Sequence, residues 1–181
     1  MKLWLARHAQ PLIEHGICYG STDVGADALA TLSAAKALSL VLPLGLQMVS
    51  SPLQRCEQLT HVLRGLRPDL AYKTDARLAE MNFGCWEGQR WDAIPQADYE
   101  RWTADFGGYR FGGVESVREF MQRVAHMWDE TQRAARETVW ITHAGVIRAA
   151  SLLAQGVRHV DQAAQWPVAA PAFGAVCEMT L

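Results

Sequence analysis

Three short apolar runs constrain this chain more than anything else in it. LWLA near the start, LQMVSS beginning at Leu46 and TVWIT over Thr138–Thr142 lack the polar alternation of a sheet with one wet face. A strand of that kind must be covered on both faces, as in a parallel sheet with helices packed on either side. The intervening segments supply the helices. Asp27 to Leu42 is rich in Ala and Leu and is stopped by Pro43. Leu53, Cys56, Leu59, Leu63 and Leu66 recur at helical spacing, with Ser51, Pro52 and Gln54 reading as the cap, first helical residue and capping-box partner. Ser116 with Glu119 forms a second capping box, opening a helix with Val117, Phe120, Val124, Met127 and Trp128 on one stripe. AGVIRAASLLAQG ends in glycine as a helix does, AYKT reads as a further strand, and FGAVCEMTL alternates as a final one. The expectation is an α/β fold, a three-layer α/β/α sandwich on a mostly parallel mixed sheet. With 181 residues, no repeat and no low-complexity linker, residues 1–181 read as a single domain.

Ligands of such sheets gather at the carboxyl ends of the strands. Arg7 and His8 follow the first strand, Ser51 and Arg55 the second, Glu80 the third, and His143 follows TVWIT directly before a helix. Two Arg can hold a dianionic phosphate through charge-assisted hydrogen bonds, and the helix after His143 adds N–H groups. A neutral imidazole can attack phosphorus, and neighbouring cations disfavour its protonated form, so Arg7 and Arg55 are expected to keep His8 nucleophilic. The leaving alkoxide needs a proton, for which Glu80 is the fitting carboxyl group, provided burial keeps it protonated near neutral pH. No metal and no cofactor is called for, because Arg and protonated His carry the positive charge. Each residue also has a plainer reading. Arg7-His8 could be a surfacing strand end, His143 a helix cap, Arg55 an ordinary surface cation, and Glu80 a partner for Arg77, with Glu87 competing for the acid role.

Four stretches, LARHA, SSPLQRCEQ, RLAEMNFGCWEG and THAGVIR, together resemble the histidine phosphatase (phosphoglycerate mutase-like) superfamily over nearly the whole chain. The resemblance implies a phosphohistidine intermediate formed on His8. It implies that Arg7 and Arg55 bind phosphate, that His143 stabilises the transferring group, and that Glu80 donates the proton. Tyr19, Gly20 and Ala144 complete the expected substrate-binding set. The stretches GICYGSTDV, EMNFGCWEGQRWDAIPQ and RWTADFGGYRFGGVESVREF resemble the α-ribazole-5′-phosphate phosphatase branch, which acts in cobalamin lower-ligand assembly. Alternatives within this frame are a broad-specificity small-molecule phosphatase, a phosphoglycerate mutase-type phosphotransferase, and a catalytically weak phosphate-binding protein.

The family's Arg-His-Gly is Arg7-His8-Ala9 here. Alanine keeps the carbonyl, so Ala9 O is expected to accept a hydrogen bond from His8 Nδ1–H and leave Nε2 for phosphorus. Pro11, Glu14 and Val114 also depart from the family pattern. Residues 81–113 carry Trp86, Trp91, Tyr99, Trp102, Phe106, Tyr109 and Phe111, readable either as a small satellite core or as a lid over a heteroaromatic substrate.

A net charge of −2 gives no electrostatic case for nucleic acid or an anionic membrane, which leaves a small phosphomonoester as partner and a monomer or homodimer as the assembly. Cys18, Cys56, Cys85 and Cys177 are scattered, without metal-ligand spacing. They read as reduced thiols of a cytoplasmic protein, and no signal peptide or bilayer-spanning stretch is read.

Overall fold

The computed structural model describes residues 1–181. Its five strands are β1 (Lys2–Arg7), β2 (Gln47–Ser50), β3 (Ala71–Thr74), β4 (Thr138–Thr142) and β5 (Val176–Thr180). They form one sheet in the order β3-β2-β4-β1-β5, parallel except for β5, which runs antiparallel to β1. The helices are α1 (Ala28–Val41), α2 (Gln54–Leu66), α3 (Gln96–Ala104), α4 (Val117–Ala134) and α5 (Ala144–Ala154).

The apolar strands separate two cores, as their lack of alternation requires. Leu3, Leu5, Val49 and Trp140 point into a core shared with α4 and α5. Ala6, Met48, Val139 and Ile141 point into a second core shared with α1 and α2. Neighbouring residues thus take opposite faces, and every residue of β4 is buried. No helix is long and apolar enough to cross a membrane.

The helix ends follow the sequence with one correction. The Asp27 carboxylate accepts from Ala30 N at the start of α1, and Ser116 and Glu119 form the expected capping box on α4, worth on the order of 1 kcal/mol. Gly156, with φ +79, follows the end of α5. Ser51, however, is not the cap of α2, which begins at Gln54 behind Leu53. Its first turn is capped from a distant loop, with Gln54 N donating to Asp23 Oδ1 at 2.7 Å. Ser51 Oγ accepts from Leu53 N at 3.3 Å, one residue short of the helix, and is also bonded to His143, described below.

The register of the parallel strands sets the site. Arg7 on β1 is level with Thr142 on β4, and Ser50 on β2 is level with Ile141. Beyond those pairs the ladder continues for one more bond on each side, with His8 N donating to Thr142 O (3.0 Å) and Ser51 N to Ile141 O (2.9 Å). His8, Ser51 and His143 therefore leave the sheet at one height.

Candidate active site

His8 is almost fully buried (1% exposed), and its Nδ1 lies 2.7 Å from Ala9 O. A carbonyl only accepts, so Nδ1 carries the proton and Nε2 presents its lone pair, with no protein partner of its own. Ala9 has negative φ, so alanine serves this role as well as glycine. Burial, then the Arg55 charge, lowers the His8 pKa from 6.5 to about 3; the Ala9 bond opposes this, and Arg7 adds least. Arg55 and Arg7 both act in the direction expected from the sequence, and dehydration adds a larger effect of the same sign.

Arg55 is completely buried at the start of α2. It donates from Nη2 to Gly20 O (2.7 Å), from Nη1 to Thr22 O (2.8 Å) and from Nε to His143 Nδ1 (3.3 Å). Tyr19 lies over the same guanidinium at 5.1 Å. His143, also fully buried, has its Nε2 2.8 Å from Ser51 Oγ, and its ring centre is 5.1 Å from that of His8. Since Nδ1 accepts from Arg55, Nε2 carries the proton and donates to Ser51. Both nitrogens of His143 are thus engaged by protein groups. The ring ties Arg55 to Ser51 directly beside the His8 ring. Burial, then Arg55 and His8, pushes its pKa well below the ordinary value.

Arg7 is half-buried, with Nη1 donating to Pro171 O (2.9 Å) and its guanidinium 3.8 Å from the centre of the Phe173 ring. Its Nε is buried without a partner. Burial lowers the Arg7 pKa, partly offset by Tyr19 and Glu80. Residues 168–174 cross this edge, and Gly174 N also donates to His8 O (3.0 Å).

Glu80 arrives on the irregular segment after β3. Its Oε2 accepts from Gly145 N at 3.0 Å in the first turn of α5, beside Ala144, and its Oε1 from Met81 N at 3.1 Å. A Cβ on Gly145 would lie 2.2 Å from Glu80 Oε1, so glycine is required for this approach. Gly20 is constrained likewise, since a Cβ there would lie 2.3 Å from Met81 O. Glu87 has a different task. It accepts from the backbone and hydroxyls of Ser21 and Thr22 and from Phe83 N. Burial pushes its pKa up, but these bonds outweigh that and hold it below its ordinary value. It is an anchor for the Tyr19–Thr22 loop.

A cavity of about 470 Å³ adjoins these groups, its wall shared by Glu80, Gly145, Tyr19 and Gly20. The remainder is largely apolar and aromatic, including Phe83, Trp91, Trp102, Phe106 and Trp166, with Arg148 as the added cation. The two readings of residues 81–113 divide between faces of one cluster. Phe111 is its buried hub, stacked on Trp102 at 4.3 Å, whereas Trp91, Trp102 and Phe106 also line the cavity. Val114, half exposed, borders a second, open groove with Glu80, Glu115 and Arg123.

The sequence places Ser51 at this edge but reads it as a helix cap, and it does not assign Arg123, Arg148 or the 166–173 segment to the site. Arg148 lies one helical turn after Ala144, a spacing that places it on the same face. Arg123 is a cation three residues after Phe120 on the apolar stripe of α4, an anomaly that marks a buried polar task.

The two histidines impose a pH dependence. Both stay neutral in the folded chain but titrate freely near pH 6.5 once unfolded. Between that value and about 3 the unfolded chain binds more protons, so acidification favours unfolding. Stability should fall from pH 7.5 to pH 5 by on the order of 1 kcal/mol per pH unit for each ring below about 6. Urea midpoints at the two pH values measure it, and His8→Asn should reduce the loss. Equal midpoints contradict the buried, neutral assignment.

A three-layer sandwich that brings two histidines, two arginines and a glutamate to the carboxyl edge of a parallel sheet defines a phosphoryl-transfer class of protein. The chain belongs to the histidine phosphatase superfamily (branch 1), whose family model matches residues 3–172. It is a phosphomonoesterase of that superfamily. No curated protein matches it significantly. Among solved structures, a mycobacterial glucosyl-3-phosphoglycerate phosphatase is similar at 23% identity with a TM-score of 0.80, over 98% of this chain and 88% of that one. The protein TTHB049 from Thermus thermophilus is 27% identical with a TM-score of 0.75, over 98% of this chain and 92% of its own. A mycobacterial hydrolase is 23% identical with a TM-score of 0.81, over 98% of this chain and 87% of that one.

Proposed function

We propose that this phosphatase works through a phosphohistidine on His8 and needs no metal. His8 Nε2 attacks phosphorus, the P–O bond to the leaving group breaks, and Glu80 gives its proton to the departing oxygen. Water then attacks the phosphohistidine, passing a proton back to Glu80 and releasing phosphate and neutral His8. Arg7, Arg55 and the N-terminus of α5 at Ala144 offset the phosphoryl charge. The observation that carries this reading is the His8 tautomer, with Nδ1–H on Ala9 O and Nε2 unpartnered. The mycobacterial phosphatase has also been captured with inorganic phosphate and with VO3, in keeping with phosphoryl chemistry on this fold.

The cavity beside Glu80 supports a leaving group with a flat, apolar part. Indole and phenyl rings line it, and such rings hold heteroaromatic groups by stacking. α-Ribazole 5′-phosphate, with its benzimidazole, has that shape and matches the stretches around Cys18, Trp86 and Trp102 that resemble its phosphatases. A sugar-phosphate substrate is the second reading, favoured by the glucosyl-3-phosphoglycerate phosphatase likeness. A panel of α-ribazole 5′-phosphate, hexose phosphates, glycerol phosphate and phosphoglycerates, assayed with chelator present, separates them. The expected result is a kcat/KM for α-ribazole 5′-phosphate at least about tenfold above the others. A flat or sugar-biased profile defeats the aromatic reading, and phosphate moved between hydroxyls rather than released would make the chain a mutase.

A further inference from the structure

We propose that Arg123 and Glu115 form a clamp that positions Glu80 for proton transfer, an inference resting on the reading of Glu80 as proton donor. Residues 79–82 belong to no helix or strand, so nothing repetitive fixes the backbone that carries this carboxyl group. One guanidinium supplies what secondary structure does not. Arg123 Nη1 donates to Arg77 O (2.8 Å) and Ala79 O (2.6 Å), and Nη2 donates to Glu80 O (3.0 Å). Nε and Nη2 also bond the Glu115 carboxylate at 2.7 and 3.1 Å, and Glu115 Oε2 accepts from Asn82 N at 2.9 Å. All five Arg123 donors are spent, and the segment is held on both sides of Glu80.

The clamp is itself fixed. The Arg123 guanidinium lies 4.5 Å from the centre of the Phe120 ring, and the side chains of Arg123 and Glu115 are only 22% and 14% exposed. The planar fork matters, because an ammonium has three donors and cannot reach three carbonyls and a carboxylate at once. Neither residue touches the cleaved bond in this scheme. Both are positioning residues acting through Glu80, and they should matter only where the leaving group needs a proton.

That condition supplies the test. Arg123→Lys, Glu115→Gln and, as reference, Glu80→Gln are assayed on monoesters ranging from p-nitrophenyl phosphate, whose leaving group departs without protonation, to alkyl phosphates. The p-nitrophenolate burst isolates formation of the phosphohistidine. The two clamp variants are expected to lose about 10²-fold in kcat/KM on alkyl phosphates while the burst rate changes by less than about threefold. A steep leaving-group dependence in Glu80→Gln with a uniform loss in both clamp variants would show that the clamp is only structural and overturn the inference. A flat response in Glu80→Gln overturns the proton-donor reading itself and the clamp with it. Should Arg123→Lys fail to fold, Glu115→Gln, which keeps an acceptor for Asn82 N, decides the matter alone.

Discussion

His8→Ala should lower turnover of every phosphomonoester by on the order of 10⁴-fold or more and leave no acid-labile phosphohistidine after mixing with excess substrate. The expectation follows from the geometry of one ring. Its Nδ1–H is committed to Ala9 O at 2.7 Å, and burial, then the Arg55 charge, lowers its pKa to about 3, so Nε2 is an unprotonated nucleophile at neutral pH. No other side chain can replace it. His143 is 5.1 Å away between ring centres, but its nitrogens are bonded to Arg55 and Ser51. The loss should not come from unfolding. The ring packs between His143 and Phe173, and removing it should cost no more than about 3 kcal/mol, readable as a modest fall in Tm. Rapid-quench labelling with a ³²P-phosphomonoester provides the second measurement. Activity of His8→Ala within tenfold of the parent, or a labelled histidine that survives the substitution, would remove His8 from the mechanism.

The parts of this molecule legible in its sequence are those governed by local periodicity and by strand ends. TVWIT announced a strand buried on both faces, and the spacing of Val117, Phe120 and Val124 announced α4, because burial is encoded in side chains a few residues apart. Arg7, His8, Arg55 and His143 could be placed because residues following parallel strands must emerge at one edge. What local sequence could not show was competition among partners. Ser51 has the chemistry of a helix cap, yet His143 takes its hydroxyl and Asp23, 31 residues away from Gln54, caps the helix instead. The role of Arg123 depends on carbonyls 43 to 46 residues earlier. The contribution of residues 166–173 depends on a chain reversal into β5 that lays Pro171 and Phe173 against Arg7.

Arg55→Met should separate phosphate binding from scaffolding. Methionine matches the apolar stem but returns none of the hydrogen bonds to Gly20 O, Thr22 O and His143. Two carbonyls would be left short of a donor, at a cost of about 1–3 kcal/mol in stability at neutral pH. Arg55 is also the second-largest cause of the depressed pKa of both His8 and His143, after burial. Removing its charge should let both rings hold a proton at higher pH, so the variant's stability should fall less steeply on acidification than the parent's. Catalysis should suffer more than folding. With the guanidinium gone, a dianionic phosphoryl group at His8 loses a buried cation, and kcat/KM should drop on the order of 10²–10³-fold. The measurements are urea midpoints at pH 7.5 and 5 beside kcat/KM for p-nitrophenyl phosphate. That substrate needs no proton from Glu80, so the loss contains no contribution from the proton donor. A variant that melts earlier yet keeps kcat/KM within tenfold would make Arg55 a strut for the Tyr19–Thr22 loop and leave Arg7 and the α5 N-terminus as the phosphate site.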